Sequence, residues 1–248
     1  MLHFIGTGGA FSTKLGNNSA YMELGTELFI FDCGVDVFSK LQAGNLFEGK
    51  TKVNFFITHL HCDHAGGLGV MIAYLRYVFS EGNPSRICVY FPSKSMDDLL
   101  RLQGLDEQWY TLYVNRWDEL EVDGMEKLLE YSFEEASHTE ELDYEGKNNC
   151  FSIEMSMMDE FTIFYSGDTN FFSERLKNIH NYDAVYHEVT GYEEATRHLS
   201  YRKLLEATKD FTKEDRKKIV LMHLDDGFDT ERAKKDGFTI AEIEQAMK

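Results

Sequence analysis

The sequence predicts a layered α/β protein, on three observations. Short apolar runs recur along the 248-residue chain, helix-period stretches separate them, and most runs close on Gly, Asp, His or Thr. Strands that end this way carry polar chemistry on loops held by a rigid base. An apolar content of 43% suffices for one sizeable core, and α/β chains of this length often form one domain, so a single domain over residues 1–248 is expected.

The first run, Leu2–Ile5, enters "IGTGGAF". A dinucleotide-binding turn would need a third glycine where Phe11 stands, and the following "STKLGNNS" is turn-like rather than helical. Gly6, Gly8 and Gly9 then serve either close backbone approach, to a ligand or to another turn, or tight turning alone. Strands are next expected at Leu28–Asp32, Val53–Thr58 and Ile87–Phe91, with helices at Leu68–Phe79 and Ser95–Leu102. The aromatic "WYTLYVNRW" (Trp109 to Trp117) reads as a core strand with a hairpin, as part of an interface, or as a base-stacking wall. Further strands fall at Phe151–Met155, Phe161–Tyr165, Ala184–His187 and Ile219–Met222. Helices fall at Phe171–Asn178, at Tyr201–Phe211 with Ser200 as its cap, and at Ile240–Met247 with Thr239 as its cap. "KDFTKEDRKK" (Lys209 to Lys218) reads as a solvated helix end or loop.

Charge and cysteine content narrow the function classes. With 43 acidic residues against 25 Lys plus Arg, the formal charge of −18 repels polyanions, which disfavours a large nucleic-acid partner. Four cysteines without CxxC spacing fit free thiols in a reducing compartment, so the cytoplasm is the expected location. No apolar run approaches the roughly 18 to 20 residues of a bilayer span, and the N-terminus lacks the basic-then-apolar pattern of a leader, so no membrane association is expected.

The densest chemistry is "FFITHLHCDHAGGLG", Phe55 to Gly69. His59 and His61 alternate along an extended segment and can reach one metal, while Asp63 and His64 lie past the turn and can reach a second. Imidazole nitrogen and carboxylate oxygen suit zinc at about 2.0 to 2.2 Å, and the same set admits Mn or Fe. A metal needs more ligands than one turn supplies. His138 in "EASHTEE", Asp168 in "FYSGDTN" and His223 in "IVLMHLDD" stand ready, and the Asp168 carboxylate could bridge two ions. Alternation turns Cys62 away from its neighbours, which makes it a small buried spacer rather than a thiolate ligand.

With these residues in place, the chain resembles the metallo-β-lactamase superfamily. The resemblance implies an αββα four-layer sandwich with a dinuclear site on one edge, holding two Zn2+ per chain or Mn2+ or another divalent transition metal. Position by position it implies that His59, His61 and His138 hold one ion, that Asp63, His64 and His223 hold the other, and that Asp168 bridges them. "FIGTGGAF", "NNSAYM", "FDCG", "HEVT" and "HLS" are similar to the ribonuclease Z-like phosphodiesterases, in which a histidine paired with a glutamate protonates the leaving oxygen. That likeness places Asp63, His198 and Glu188 in the catalytic group. The interval from "HEVT" to "HLS" is shorter than in ribonuclease Z, and no Gly- and Pro-rich tRNA-gripping arm is visible with only two prolines. The chain most resembles the phage anti-Pycsar cyclic-nucleotide phosphodiesterases. This implies hydrolysis of 3′,5′-cyclic mononucleotides that disarms antiviral signalling, a small-molecule substrate, and a homodimer in the host cytoplasm. The rival readings are a ribonuclease Z-like tRNA 3′ endonuclease or broad small-phosphodiester hydrolase, a glyoxalase II-like thioester hydrolase, and a non-catalytic metal-retaining binding protein.

Overall fold

A computed structural model describes residues 1–138 and 149–245. Its strands are β1 (His3–Gly6), β2 (Ser19–Leu24), β3 (Glu27–Phe31), β4 (Lys52–Phe56), β5 (Ile87–Tyr90), β6 (Thr111–Tyr113), β7 (Trp117–Leu120), β8 (Leu129–Glu135), β9 (Phe151–Met157), β10 (Phe161–Tyr165), β11 (Ala184–Glu188), β12 (Ile219–Met222) and β13 (Thr239–Ile240). The helices are α1 (Val37–Ala43), α2 (Cys62–Ala65), α3 (Leu68–Val78), α4 (Ser95–Leu102), α5 (Tyr201–Ala207), α6 (Lys213–Lys217) and α7 (Thr230–Lys235). One six-stranded sheet runs β1-β2-β3-β4-β5-β6, and one seven-stranded sheet runs β13-β12-β11-β10-β9-β8-β7.

Within the first sheet β3, β4, β5 and β6 are parallel, and within the second β10, β11, β12 and β13 are parallel. Parallel strands buried on both faces read as continuous apolar runs, which is why β3, β4, β10, β11 and β12 are legible in the sequence. The alternation is still present. In β10, Ile163 and Tyr165 face the core between the sheets while Phe164 faces the outer core. In β11, Ala184 and Tyr186 take the first side and Val185 the second. The same apolar cluster continues through the first sheet to Leu41, Leu68, Met71, Leu75 and Leu100 of α1, α3 and α4 on its other face. The outer one holds Tyr201 and Leu204 from α5 and Ala233 from α7. The order of layers is thus helices, sheet, sheet, helices, as expected.

Several boundaries differ from the sequence reading. β2, β7 and β8 are added, because strands that mix in polar residues, such as "SAYMEL" and "LEYSFEE", lack a long apolar run. Over residues 240–244 the expected helix at Ile240–Met247 gives way to extended pairing: Thr239 and Ile240 pair with β12, Ala241 N–H donates to Leu221 O at 2.9 Å, and Glu244 N–H donates to Phe4 O at 2.9 Å. Thr239 is correspondingly no cap, its hydroxyl donating to Lys217 O at 2.7 Å. Residues 246–247 of that expected helix lie outside the described residues. The helix expected at Phe171–Asn178 instead runs Glu174–Asn181 as a 3-10 helix capped by Ser173. α5 stops at Ala207, and Ser200 caps it by accepting from Lys203 N–H. The charged stretch after Lys209 contains α6, closed by a capping box between Thr212 and Asp215. Within "WYTLYVNRW" lies β6, and the run ends where β7 begins at Trp117. No helix among the described residues is long and apolar enough to cross a membrane.

Phe56 is the aromatic centre between the sheets. Its buried ring lies 4.3 Å from Tyr90, 5.9 Å from Phe31 and 5.2 Å from Tyr131 of the opposite sheet. Phe56→Ala leaves a cavity that these rings cannot close, so denaturant titration should show a stability loss of about 3 to 5 kcal/mol.

Candidate metal centre

The site forms where the parallel strands of both sheets end. Asp32 follows β3, His59 lies shortly past β4, Asp168 follows β10, Glu188 ends β11 and His223 follows β12. Carboxyl ends of parallel strands are the usual place for ligands in α/β sheets. Asp32 and His223 turn off their strands with φ of 61° and 54°, a left-handed conformation that non-glycine residues adopt at some cost and that occurs disproportionately at functional sites.

The metal turn is locally pinned. His61 carbonyl oxygen accepts from His64 N–H at 3.0 Å and Ala65 N–H at 2.8 Å, which curls residues 61–65 into α2. Cys33 N–H donates to His64 O at 2.6 Å and Gly67 N–H donates to Cys33 O at 2.8 Å, which docks the turn on the chain following β3. A Cβ at Gly67 would collide with the Gly34 backbone, so this contact requires glycine. Gly9 answers one question left open by the sequence: a Cβ there would lie 3.2 Å from His223 Cε1, so the backbone passes close against that ring. Cys62 is exposed, not the buried spacer expected, because α2 turns it outward while Asp63 and His64 turn in.

All seven candidate ligands meet. His59, His61 and His138 form one group able to hold an ion, and Asp63, His64, Asp168 and His223 form another, with ligand atoms in each within 4.8 Å of one another. Asp168 stands between them. Its Oδ2 lies 3.9 Å from His59 Nε2 and 3.5 Å from His138 Nε2, and its Oδ1 lies 3.3 Å from both His64 Nε2 and His223 Nε2.

The surrounding hydrogen bonds leave the Nε2 atoms for the centre. His64 Nδ1 bonds Asp32 Oδ2 at 2.9 Å, His59 Nδ1 contacts Thr58 Oγ1 at 3.1 Å, and His138 Nδ1 bonds Arg197 O at 3.0 Å. Such partners fix ring orientation and strengthen the other nitrogen as a ligand. The donor set fits a divalent cation on an observation internal to the structure: His59 Nε2, His64 Nε2 and Asp168 Oδ1 are buried atoms without a hydrogen-bond partner. Buried polar atoms are seldom left so, and here they converge.

Electrostatics agree. Burial, reinforced by the neighbouring His64, holds the His59 imidazole well below its ordinary value, so its lone pair is available. Burial likewise lowers His138, against the pull of Asp168. Burial raises Asp63, but the hydrogen bond with His223 and the adjacent His64 imidazole outweigh it and hold the carboxyl below its ordinary range. Asp168 is also held well down, burial opposing and the charges of His223 and His64 prevailing. Those two imidazoles are raised by the carboxylates against the effect of burial. The anionic groups thus draw protons onto His64 and His223, and a divalent cation would supply that positive charge instead.

Beside the cluster, His198 Nδ1 bonds Glu188 Oε2 at 2.8 Å and lies 3.8 Å from Asp168 Oδ2. Thr169 N–H holds the other Glu188 oxygen, Oε1. The shorter "HEVT" to "HLS" interval therefore still brings the pair together. Sequence reading places Asp32 past a strand without assigning it a task. The structure shows it accepting from Thr58 N–H at 2.8 Å, Thr58 Oγ1 at 2.9 Å and Tyr165 OH at 3.2 Å besides holding His64.

The family model described as Anti-Pycsar protein Apyc1 matches residues 1–247. The chain is 28% identical over 240 residues to the Anti-Pycsar protein Apyc1 of Bacillus phage 010DV004, covering 92% of this chain and 90% of that protein. It is 29% identical over 103 residues to a ribonuclease Z of Methanococcus maripaludis, covering 41% of this chain and 32% of that one. The metallo-β-lactamase fold protein YhfI from Bacillus subtilis superposes with a TM-score of 0.69 at 18% identity, covering 97% of this chain and 95% of the other. The fold is therefore the metallo-β-lactamase fold.

Because Asp32 orients His64 through a buried bond, Asp32→Asn, which tolerates the left-handed backbone, should weaken metal retention by about 10- to 100-fold. Competition against a chromophoric chelator measures the change.

Proposed function

The chain belongs to the anti-Pycsar protein Apyc1 family, whose model spans residues 1–247, and on that premise we propose that it is a dinuclear metal-dependent phosphodiesterase. Its substrates on this reading are 3′,5′-cyclic mononucleotides, hydrolysed to nucleoside monophosphates, and their removal would disarm cyclic-nucleotide antiviral signalling. The observation that carries the proposal is the His198–Glu188 pair, 2.8 Å apart, set against a two-part His and Asp cluster. A thioester hydrolase has less use for that pair, because a thiolate departs without a proton donor whereas an alkoxide needs one.

His59, His61 and His138 would hold one ion, Asp63, His64 and His223 the other, and Asp168 would face both. When bound, a pair of Zn2+ or Mn2+ ions supplies an activated water and neutralises charge on the phosphate oxygens. The protein's own part is proton delivery. With Nδ1–H donated to Glu188, the second N–H of the His198 ring, which lines the cavity, would be the one offered to substrate. That proton goes to the departing ribose oxygen. Glu188, held at its other oxygen by Thr169 N–H, keeps the ring from rotating.

Burial would depress the His198 imidazole, but the hydrogen bond and charge of Glu188, aided by Asp168, push it up to about 9. It therefore holds its proton at neutral pH and loses it as pH rises through that value. The cavity volume of about 590 Å³ suits a small ligand, and the charge of −18 opposes a long polyanion. A homodimer in the cytoplasm completes the reading, following the family resemblance.

Metal-loaded protein incubated with cyclic mononucleotides, cyclic dinucleotides, a tRNA precursor and S-lactoylglutathione should cleave the mononucleotides alone, with two ions per chain by elemental analysis. Loss of turnover in Asp168→Ala is expected, and tRNA trimming by the native chain would overturn the reading. For proton delivery, His198→Ala should slow a ribose ester by about 100-fold or more and a nitrophenyl ester far less, since nitrophenolate needs little protonation. Glu188→Gln should move the basic limb of the kcat profile to lower pH. Equal losses on both esters, or an unmoved limb, would remove the general-acid role.

A further inference from the structure

The metal-binding candidates line only part of the cavity. Two aromatic side chains from separate loops line it as well, Phe11 from the β1–β2 connection and Tyr192 from the β11–α5 connection. Phe11 is 96% exposed and Tyr192 70%. Isolated exposed apolar residues are ordinary on protein surfaces, but these two border the same catalytic cavity and their loops are fastened to one strut.

That strut is residues 224–226, directly after His223. Gly9 N–H donates to Leu224 O at 3.2 Å and the Ser12 hydroxyl donates to Asp226, which anchors the Phe11 turn on both sides. Across the strut, Thr190 Oγ1 and Gly191 N–H each donate to Asp225 Oδ2 at 2.7 Å, and Tyr192 N–H donates to Thr190 Oγ1 at 3.2 Å. Both aromatic loops are thus placed relative to the metal cluster by hydrogen bonds. Aromatic side chains on loops anchored this way offer a large contact face at little entropic cost.

We propose that Phe11, with Tyr192, forms the base-binding wall of the cavity and stacks on the flat heterocycle of a nucleotide whose phosphate sits at the metal cluster. The identity of that ligand rests on the cyclic-nucleotide reading above. Stacking suits a surface of this charge, because an aromatic face binds every base through its π system without needing cationic side chains.

Calorimetric titration of metal-loaded protein with adenosine 5′-monophosphate and with ribose 5-phosphate separates the base from the sugar phosphate. The native chain should bind the nucleotide more tightly. Phe11→Ala should weaken the nucleotide roughly 5- to 100-fold and leave ribose 5-phosphate unchanged, while Phe11→Trp should retain nucleotide affinity. Phe11 is exposed, so its truncation leaves the core intact. Equal binding of both ligands by the native chain, equal losses on both, or unchanged nucleotide affinity in Phe11→Ala would overturn the proposal. A shift of Phe11→Ala in sedimentation, with nucleotide affinity retained, would assign the ring to contacts between copies instead. The hydrolytic reading stands or falls separately, on turnover of cyclic mononucleotides by the native chain.

Discussion

The Asp32 carboxylate, fully buried at the end of β3, accepts from the Thr58 backbone and hydroxyl past β4, from the Tyr165 hydroxyl in β10 and from the His64 ring in α2. A charge removed from water is tolerated only with such complete hydrogen bonding. The consequence is architectural as well as chemical. The same carboxylate joins the two sheets at the edge that carries the candidate ligands and holds the His64 imidazole in a fixed orientation. Asn18 extends the network, donating to Tyr165 OH at 2.8 Å and accepting from His223 N–H at 3.3 Å. The chain around His64 and the chain around His223 therefore share one buried scaffold.

Around that scaffold the centre is balanced by charge. The Asp63 and Asp168 carboxyls are held down by the His64 and His223 imidazoles, which Asp32, Asp63 and Asp168 in turn raise, while burial lowers His59 and His138. A hydrophobic core offers no such arrangement, and a surface cluster would be screened by water. Glu188 and His198 sit at the margin of the centre with a different balance: burial and Asp168 raise the Glu188 carboxyl, and the bond from His198 draws it back.

Much of this was legible in the sequence, for physical reasons. Asp168 and His223 each stand just past an apolar run long enough to be a doubly buried strand, and the "HLHCDH" turn concentrates ligand types too densely for chance. The task of Asp32 was not legible, because its partners come from distant segments and only folding juxtaposes them. "SAYMEL" and "LEYSFEE" do not read as strands in the sequence because they mix in polar residues. Ile240 and Ile243 have helical spacing, yet Ile240 pairs with Leu221 at a sheet edge and Ile243 bridges to Phe4, a tertiary demand that overrides local preference. Phe11 and Tyr192 form no pattern at all in one dimension.

The position of Asp168 between two ligand groups has a mechanical meaning. The groups draw on chain segments as far apart as His59 and His223, so ions seated there would act as cross-links closing very long loops. An unfolded chain could not reproduce the full cage. Occupancy of the centre would then be thermodynamically linked to folding, and the ions would serve the molecule as rivets before they serve any substrate.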